Sequence, residues 1–123
     1  MSAVSGGRLA DWTQGTPAIV YQRCSGCGRV WYFRRSFCPR CGAERVEDHL
    51  ASGRGIVHAA TMVHRAPVAA FAPAAPYLVI LVDAEEGFRL MAHGERELAI
   101  GDAVEAGFTH LAGRLIPYFR RRG

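Results

Sequence analysis

The residues best placed to do chemistry are four cysteines within one nineteen-residue stretch, Cys24-Ser-Gly-Cys27-Gly28 through Cys38-Pro-Arg-Cys41-Gly42. They form two Cys-x-x-Cys pairs with ten residues between them. Such a turn lets two thiolates reach one ion from the same side. Two turns brought together by a short hairpin complete a tetrahedral four-sulfur site. Gly28 and Gly42 each follow a pair, where the tight turn favours positive φ and a side chain is a cost. The expected chemistry is metal ligation by Cys24, Cys27, Cys38 and Cys41 in a zinc ribbon. Zinc is the expected ion, and iron the alternative in the same site. Four protein sulfurs leave no position for water, so the site is structural.

No other constellation reads as catalytic. There is no G-x-S-x-G, Walker loop, dinucleotide glycine pattern or H-E-x-x-H. The five histidines are scattered, and His58, His64 and His93 fall at strand positions where a barrel histidine is structural. Asp83, Glu85 and Glu86 read as a solvated hairpin tip. The chain is not expected to be an enzyme alone.

The elements that must position the cysteines divide the 123 residues into three pieces. Residues 1–18 form a short segment with one helical turn around Arg8 to Trp12, closed by Thr16-Pro17. Trp12 either plugs against the body of the protein or docks a partner chain. Residues 19–51 form the ribbon, with strands expected over Ile19 to Arg23, Val30 to Phe33 and Arg45 to Ala51. A ribbon this small lacks a core of its own and leans on its metal. Its cluster Trp31, Tyr32, Phe33, Arg34, Arg35 interleaves aromatics with cations, as single-strand-binding surfaces do. The alternative is that one face packs on the neighbouring domain, with the arginines solvated.

Residues 52–123 read as five β segments punctuated by glycine and proline. Gly53 and Gly55 open a long strand through Ile56 to His64, where a glycine fits a bulge or sharp coil. Tyr77 to Val82 is a continuous apolar run. Phe88, Leu90 and Ala92 alternate with Arg89, Met91 and His93. Val104, Ala106 and Phe108 alternate again, and Arg114 to Phe119 precedes an arginine tail. Five strands at this spacing predict an all-β chain, a four-cysteine ribbon followed by a five-stranded OB-fold barrel. Pro117 places the last strand at a seam where its missing N–H is not needed. The connection Arg65 to Pro76, with Phe71 at its middle, is either a ligand or partner lip or a plain apolar lid.

Charge and targeting narrow the function classes. The formal charge is +4, and all fifteen basic residues are arginine. A zinc tetrathiolate contributes −4 + 2 = −2, so the metallated charge is nearer +2, and nucleic acid is not the expected partner. No apolar run approaches the ~20 residues needed to cross a bilayer, and Met1 to Gly15 lacks the apolar core of a signal peptide. A cytoplasmic protein is expected, with the cysteines on metal rather than in disulfides.

One family carries the same order of motifs. It runs CxxCGxxW from Cys24 to Trp31, FCPRCG from Phe37 to Gly42, GRGIVHAATMVHR at 53–65, PYLVILVDAEEGFRLMAH at 76–93, LAIGDAVEAGF at 98–108, and a closing IPYFR. This resembles the rubredoxin-like zinc-ribbon plus OB-fold proteins that accompany thiolase-like enzymes and acyl-CoA chemistry, over about residues 19–120. The resemblance implies a non-catalytic accessory subunit that binds a thiolase, acyltransferase or aldolase and helps form its acyl-CoA or acyl channel. It implies metal on the four cysteines and a ligand- or partner-facing region at roughly His64 to Tyr77. With Trp12, the residues expected there are His64, Arg65, Phe71 and Tyr77. Family members often carry a longer helical segment ahead of the ribbon than the eighteen residues here, so a smaller or differently placed partner interface is expected. The competing reading is a nucleic-acid-binding ribbon and OB protein.

Overall fold

The computed structural model describes residues 8–65 and 76–122; Phe71 lies outside the described residues. Among the described residues, eight strands follow one 3-10 turn, Trp12–Gln14. The turn starts later than the sequence suggests. Asp11 is its N-cap, accepting from the Thr13 N–H, while Gln14 reaches back to the Asp11 N–H, so the helical residues lie after Asp11. Gly15, with φ +87°, ends it before Thr16-Pro17.

A three-stranded antiparallel sheet carries the cysteines, in the order β2 (Val30–Trp31), β1 (Val20–Cys24), β3 (Val46–Leu50). The strand expected to run to Phe33 stops at Trp31. Beyond it the Tyr32 ring stacks on Phe88 and Arg34 turns to Asp48, contacts that a straight strand would not make.

The remaining strands close a barrel in the order β4 (Arg54–Val63), β5 (Tyr77–Ala84), β6 (Arg89–Gly94), β8 (Arg114–Arg121), β7 (Ala103–Leu111), with β7 returning to β4. Alternation builds its core: Leu78, Ile80 and Val82 of β5 and Leu90 and Ala92 of β6 point inward beside Val57, Val104 and Phe119. Ile80, Val82, Val104, Val57 and Phe119 are essentially inaccessible, and each such burial stabilises by about 1.5–3 kcal/mol. The ribbon buries only Cys24, Trp31 and Cys38 as its own cluster. The barrel therefore has a core that can stand, and the ribbon does not.

Gly55 is required by close approach rather than by a bulge. A Cβ there would lie 2.5 Å from the Asp83 carbonyl oxygen and 2.6 Å from Val82. The bulge falls at His58, between Val57 and Ala59. His64 lies just past the end of β4, exposed, and not within the strand. Asp83 belongs to β5 rather than to a solvated tip: it faces Arg89 at 2.6 Å and His58 at 3.4 Å. Glu86 is also tied down, accepting from the Ser52 N–H. The arginine tail begins later than expected, since β8 runs to Arg121, whose guanidinium pairs with Asp102 at 3.0 Å.

The parallel pairing of β6 with β8 is confined to His93–Tyr118 and Gly94–Phe119. Pro117 sits one residue beyond that pairing, at the seam its missing N–H requires. The ribbon is fixed to the barrel by aromatic stacking, with the Phe88 ring lying 5.1 Å from Tyr21 and 5.6 Å from Tyr32.

Candidate metal centre and outer groove

The two knuckles are built alike. In each, the glycine N–H four residues after the first cysteine donates to that cysteine's carbonyl: Gly28 to Cys24 at 2.8 Å, Gly42 to Cys38 at 3.0 Å. The first cysteine's own N–H donates five residues on, Cys24 to Arg29 and Cys38 to Ala43. Gly28 and Gly42 hold φ of +81° and +78°, which L side chains rarely adopt. The resulting turns aim backbone N–H groups at sulfur, from Cys27 to Cys24 and from Arg40 and Cys41 to Cys38.

The four Sγ atoms lie within 4.8 Å of one another, a set able to hold one metal ion. Cys24 and Cys41 approach to 3.7 Å, and Cys27 and Cys38 to 3.6 Å. A tetrahedron with Zn–S bonds of about 2.3 Å has edges of about 3.8 Å, so the spacing fits. The electrostatics ask for a cation. Burial pushes the Cys38 thiol up, but the N–H groups of Cys41 and Arg40 and the neighbouring sulfurs outweigh it and bring it down to about 6. The Ala43 N–H favours the Cys41 thiolate, yet burial and the other three sulfurs outweigh that and push it up to about 11. Four thiolates cannot coexist so close without a cation to hold them deprotonated. Cys24 and Cys38 are buried, Cys27 and Cys41 exposed, so one edge of the site faces water.

A polar network lies beside the knuckles. Trp31 Nε1 donates to Gln22 Oε1 at 2.8 Å, and Gln22 Nε2 to Asp48 Oδ1 at 3.0 Å. The other Asp48 oxygen accepts from Arg34 at 2.5 Å and from the Leu9 N–H at 3.0 Å. Burial raises the Asp48 carboxyl, but these donors together hold it below the usual carboxylate range. The aromatic–cation cluster read from the sequence is thereby dispersed. Trp31 is buried, Tyr32 packs between barrel and N-terminal turn, and Arg34 is paired, leaving Phe33 and Arg35 outward.

The predicted ligand- or partner-facing residues come together in part. Where β6 and β8 diverge, an outer groove of about 860 Å³ is lined by Trp12, Val79, Met91, His93, Ile116 and Pro117 among others. Trp12 both packs on the body of the protein and walls this groove, its Nε1 donating to Tyr32 Oη at 2.9 Å. Tyr77 stacks on His93 at 4.8 Å and lines a second recess of about 220 Å³ with His93, Arg96 and His110. His93 thus joins Trp12 to Tyr77, and burial lowers its pKa from the ordinary 6.5. His64 and Arg65 are exposed beyond β4, next to the Val63–Tyr77 pair. Sequence reasoning read His93 as structural and Met91 only as an outward position of its strand, not as part of a site. Their signal was the outward phase of β6, where an apolar Met91, 65 % exposed, stands on the face that alternation gives to water.

Comparisons with known proteins agree with this architecture. Residues 15–47 match the family model for the rubredoxin-like zinc ribbon domain of ChsH2, and residues 48–109 match the one for the ChsH2 C-terminal OB-fold domain. A protein of Methanocaldococcus jannaschii called a DUF35 domain-containing scaffold protein is 34% identical over 76% of this chain and 69% of its own length. One of the same name from Methanothermobacter thermautotrophicus is 33% identical over 73% and 71%. A probable enoyl-CoA hydratase alpha subunit of Thermomonospora curvata is 36% identical over 59% of this chain but only 22% of its own length. Among solved structures, a chain described as Ltp2-ChsH2(DUF35) aldolase superposes with a TM-score of 0.72 at 29% identity, over 85% of this chain and 84% of the other. Zinc-ribbon model, OB model, relatives and topology converge: the chain belongs to the DUF35 family of ChsH2-like proteins, a rubredoxin-like ribbon joined to an OB-fold barrel.

Proposed function

We propose that this protein is a non-catalytic accessory subunit that binds a thiolase-like enzyme (a thiolase, acyltransferase or aldolase) and helps form or stabilise its acyl-CoA or acyl channel. The observation that carries the reading is the likeness to the Ltp2-ChsH2(DUF35) aldolase chain, which spans nearly the whole of both chains. The scaffold names of the archaeal relatives, and the hydratase-subunit name of the third, support it. In this reading the chain is divided as the sequence suggests: 1–18 a short N-terminal segment, 19–51 a ribbon with zinc on Cys24, Cys27, Cys38 and Cys41, and 52–123 the barrel. Trp12, His64, Arg65, Phe71 and Tyr77 face the ligand or partner. The setting is the cytoplasm; among the described residues no helix is long and apolar enough to cross a membrane.

The test is an affinity pull-down of the full chain from native extract, at moderate salt with nuclease added, read by mass spectrometry. A thiolase-like enzyme in stoichiometric amount is the expected result. Polymerase or ribosomal components that are lost as salt rises would replace this reading with nucleic-acid binding.

A further inference from the structure

The knuckles and the outer groove are joined by a continuous set of side chains. Beside the bond from the Trp12 N–H to the Ala18 carbonyl and its packing on the barrel, Trp12 has two holds from the segment between the two cysteine pairs. Trp31 packs against Cys24 and Cys38. Through Gln22 it reaches Asp48, and both of those side chains are about 3% exposed. Arg34 binds Asp48, donates to the Leu9 carbonyl at 2.6 Å, and lies 3.6 Å from Asp11, the residue that caps the turn bearing Trp12. That is the first hold, on the backbone. The second is on the ring, where Tyr32 accepts from the Trp12 indole N–H at 2.9 Å.

Residues 32–45 contain no strand. Apart from the Tyr32 ring, which stacks on Phe88, their order comes from the second knuckle and from the bonds of Arg34 and Arg35 to Asp48 and Gln22. With so small a buried cluster, metal binding supplies most of the folding free energy of such a piece. Loss of the ion would release Tyr32 and Arg34 together, and with them the groove wall.

We propose that metal occupancy of the four-cysteine site sets the position of Trp12, so that the barrel presents its formed outer groove only while the ribbon is metallated. The proposal rests on the four cysteines holding a metal ion. A metal assay of the purified chain tests that separately, and a chain that never binds zinc would remove the premise and the proposal together.

The experiment uses the full chain labelled with 5-fluorotryptophan, whose two tryptophans give two ¹⁹F resonances, assigned with Trp12→Phe. Zinc is removed by a chelator and then restored, while the methyl signals of Ile80, Val82 and Val104 report on the barrel. Both fluorine resonances are expected to shift reversibly with the barrel methyls unmoved. A Trp12 resonance that stays in place while Trp31 shifts would overturn the proposal. So would loss of the barrel methyls, which would make the change global unfolding. In the zinc-loaded protein, Tyr32→Phe removes only the acceptor of the ring hold. It should shift the Trp12 resonance and leave Trp31 in place, and an unmoved Trp12 there would equally overturn the link.

Discussion

Gln22 and Asp48 show how two polar side chains can be buried without penalty. Every carboxylate oxygen of Asp48 and both amide atoms of Gln22 have partners. Removing one partner exposes the asymmetry of such networks, because the group left behind keeps its desolvation cost. Arg34→Met is expected to destabilise the ribbon by about 2–3 kcal/mol, the range for a lost bond to a buried charge. Zinc-retention assays under denaturant should show release at lower denaturant than in the parent, with the barrel transition little changed. His93 makes a pH-dependent contribution of definite sign. Its folded pKa lies below the ordinary 6.5 because burial disfavours the charged ring. Between the two values the unfolded chain binds the proton and the folded chain does not. The stability is thus fully present above about 6.5 and is lost as pH falls through the folded value. Barrel melting should drop between pH 7.5 and 5.5, and His93→Phe, which keeps a ring to stack on Tyr77, should flatten that slope.

At the scale of elements, the proposed function assigns the connection from Arg65 to Pro76 to the ligand or partner. Phe71→Ala, or shortening that connection, is expected to lower turnover of the partner enzyme several-fold while zinc content and barrel melting stay unchanged. Unaltered turnover would remove the connection from the mechanism. The strands themselves were legible because their signals are local: Leu90 and Ala92 alternate with Met91 and His93, and Tyr77 to Val82 is a strand-length apolar run. The cysteine knuckles were legible for the same reason, since spacing alone brings each pair together. What was missed depends on distant partners. The first turn begins after Asp11 because that side chain caps it, and β2 ends early because Tyr32 and Arg34 find Phe88 and Asp48. The role of Gly55 is visible only when β5 is laid across it. Nothing local distinguishes Gln22 from any polar residue on a strand.

For the whole molecule, the contrast between a barrel with a full apolar core and a ribbon with almost none separates two kinds of stability. Zinc bound by such peptides contributes roughly 10–16 kcal/mol, far more than the ribbon's own packing supplies. Chelation is therefore expected to abolish the near-ultraviolet signal of the ribbon aromatics and leave the barrel's thermal transition in place. The coupling runs through Phe88, held between Tyr21 of the ribbon's first strand and Tyr32 beyond its second. Because Tyr21 belongs to the β1–β3 pairing and Tyr32 to no strand, the two sides of that stack rest on different parts of the ribbon.

The two knuckles, alike in their bonds, differ in what carries them. Cys24 ends a strand paired on both sides, whereas Cys27, Cys38 and Cys41 lie among turns. Metal uptake is therefore expected to be ordered, with capture at the knuckle anchored by Cys24 and closure by the second knuckle, which no strand carries. A competing thiol is expected to reach the exposed Cys27 and Cys41 before the buried Cys24 and Cys38. Stopped-flow zinc uptake is expected to show a concentration-dependent capture followed by a concentration-independent closure, the second phase disappearing in Cys38→Ser/Cys41→Ser. A single phase in the parent chain would mean that both halves are preset.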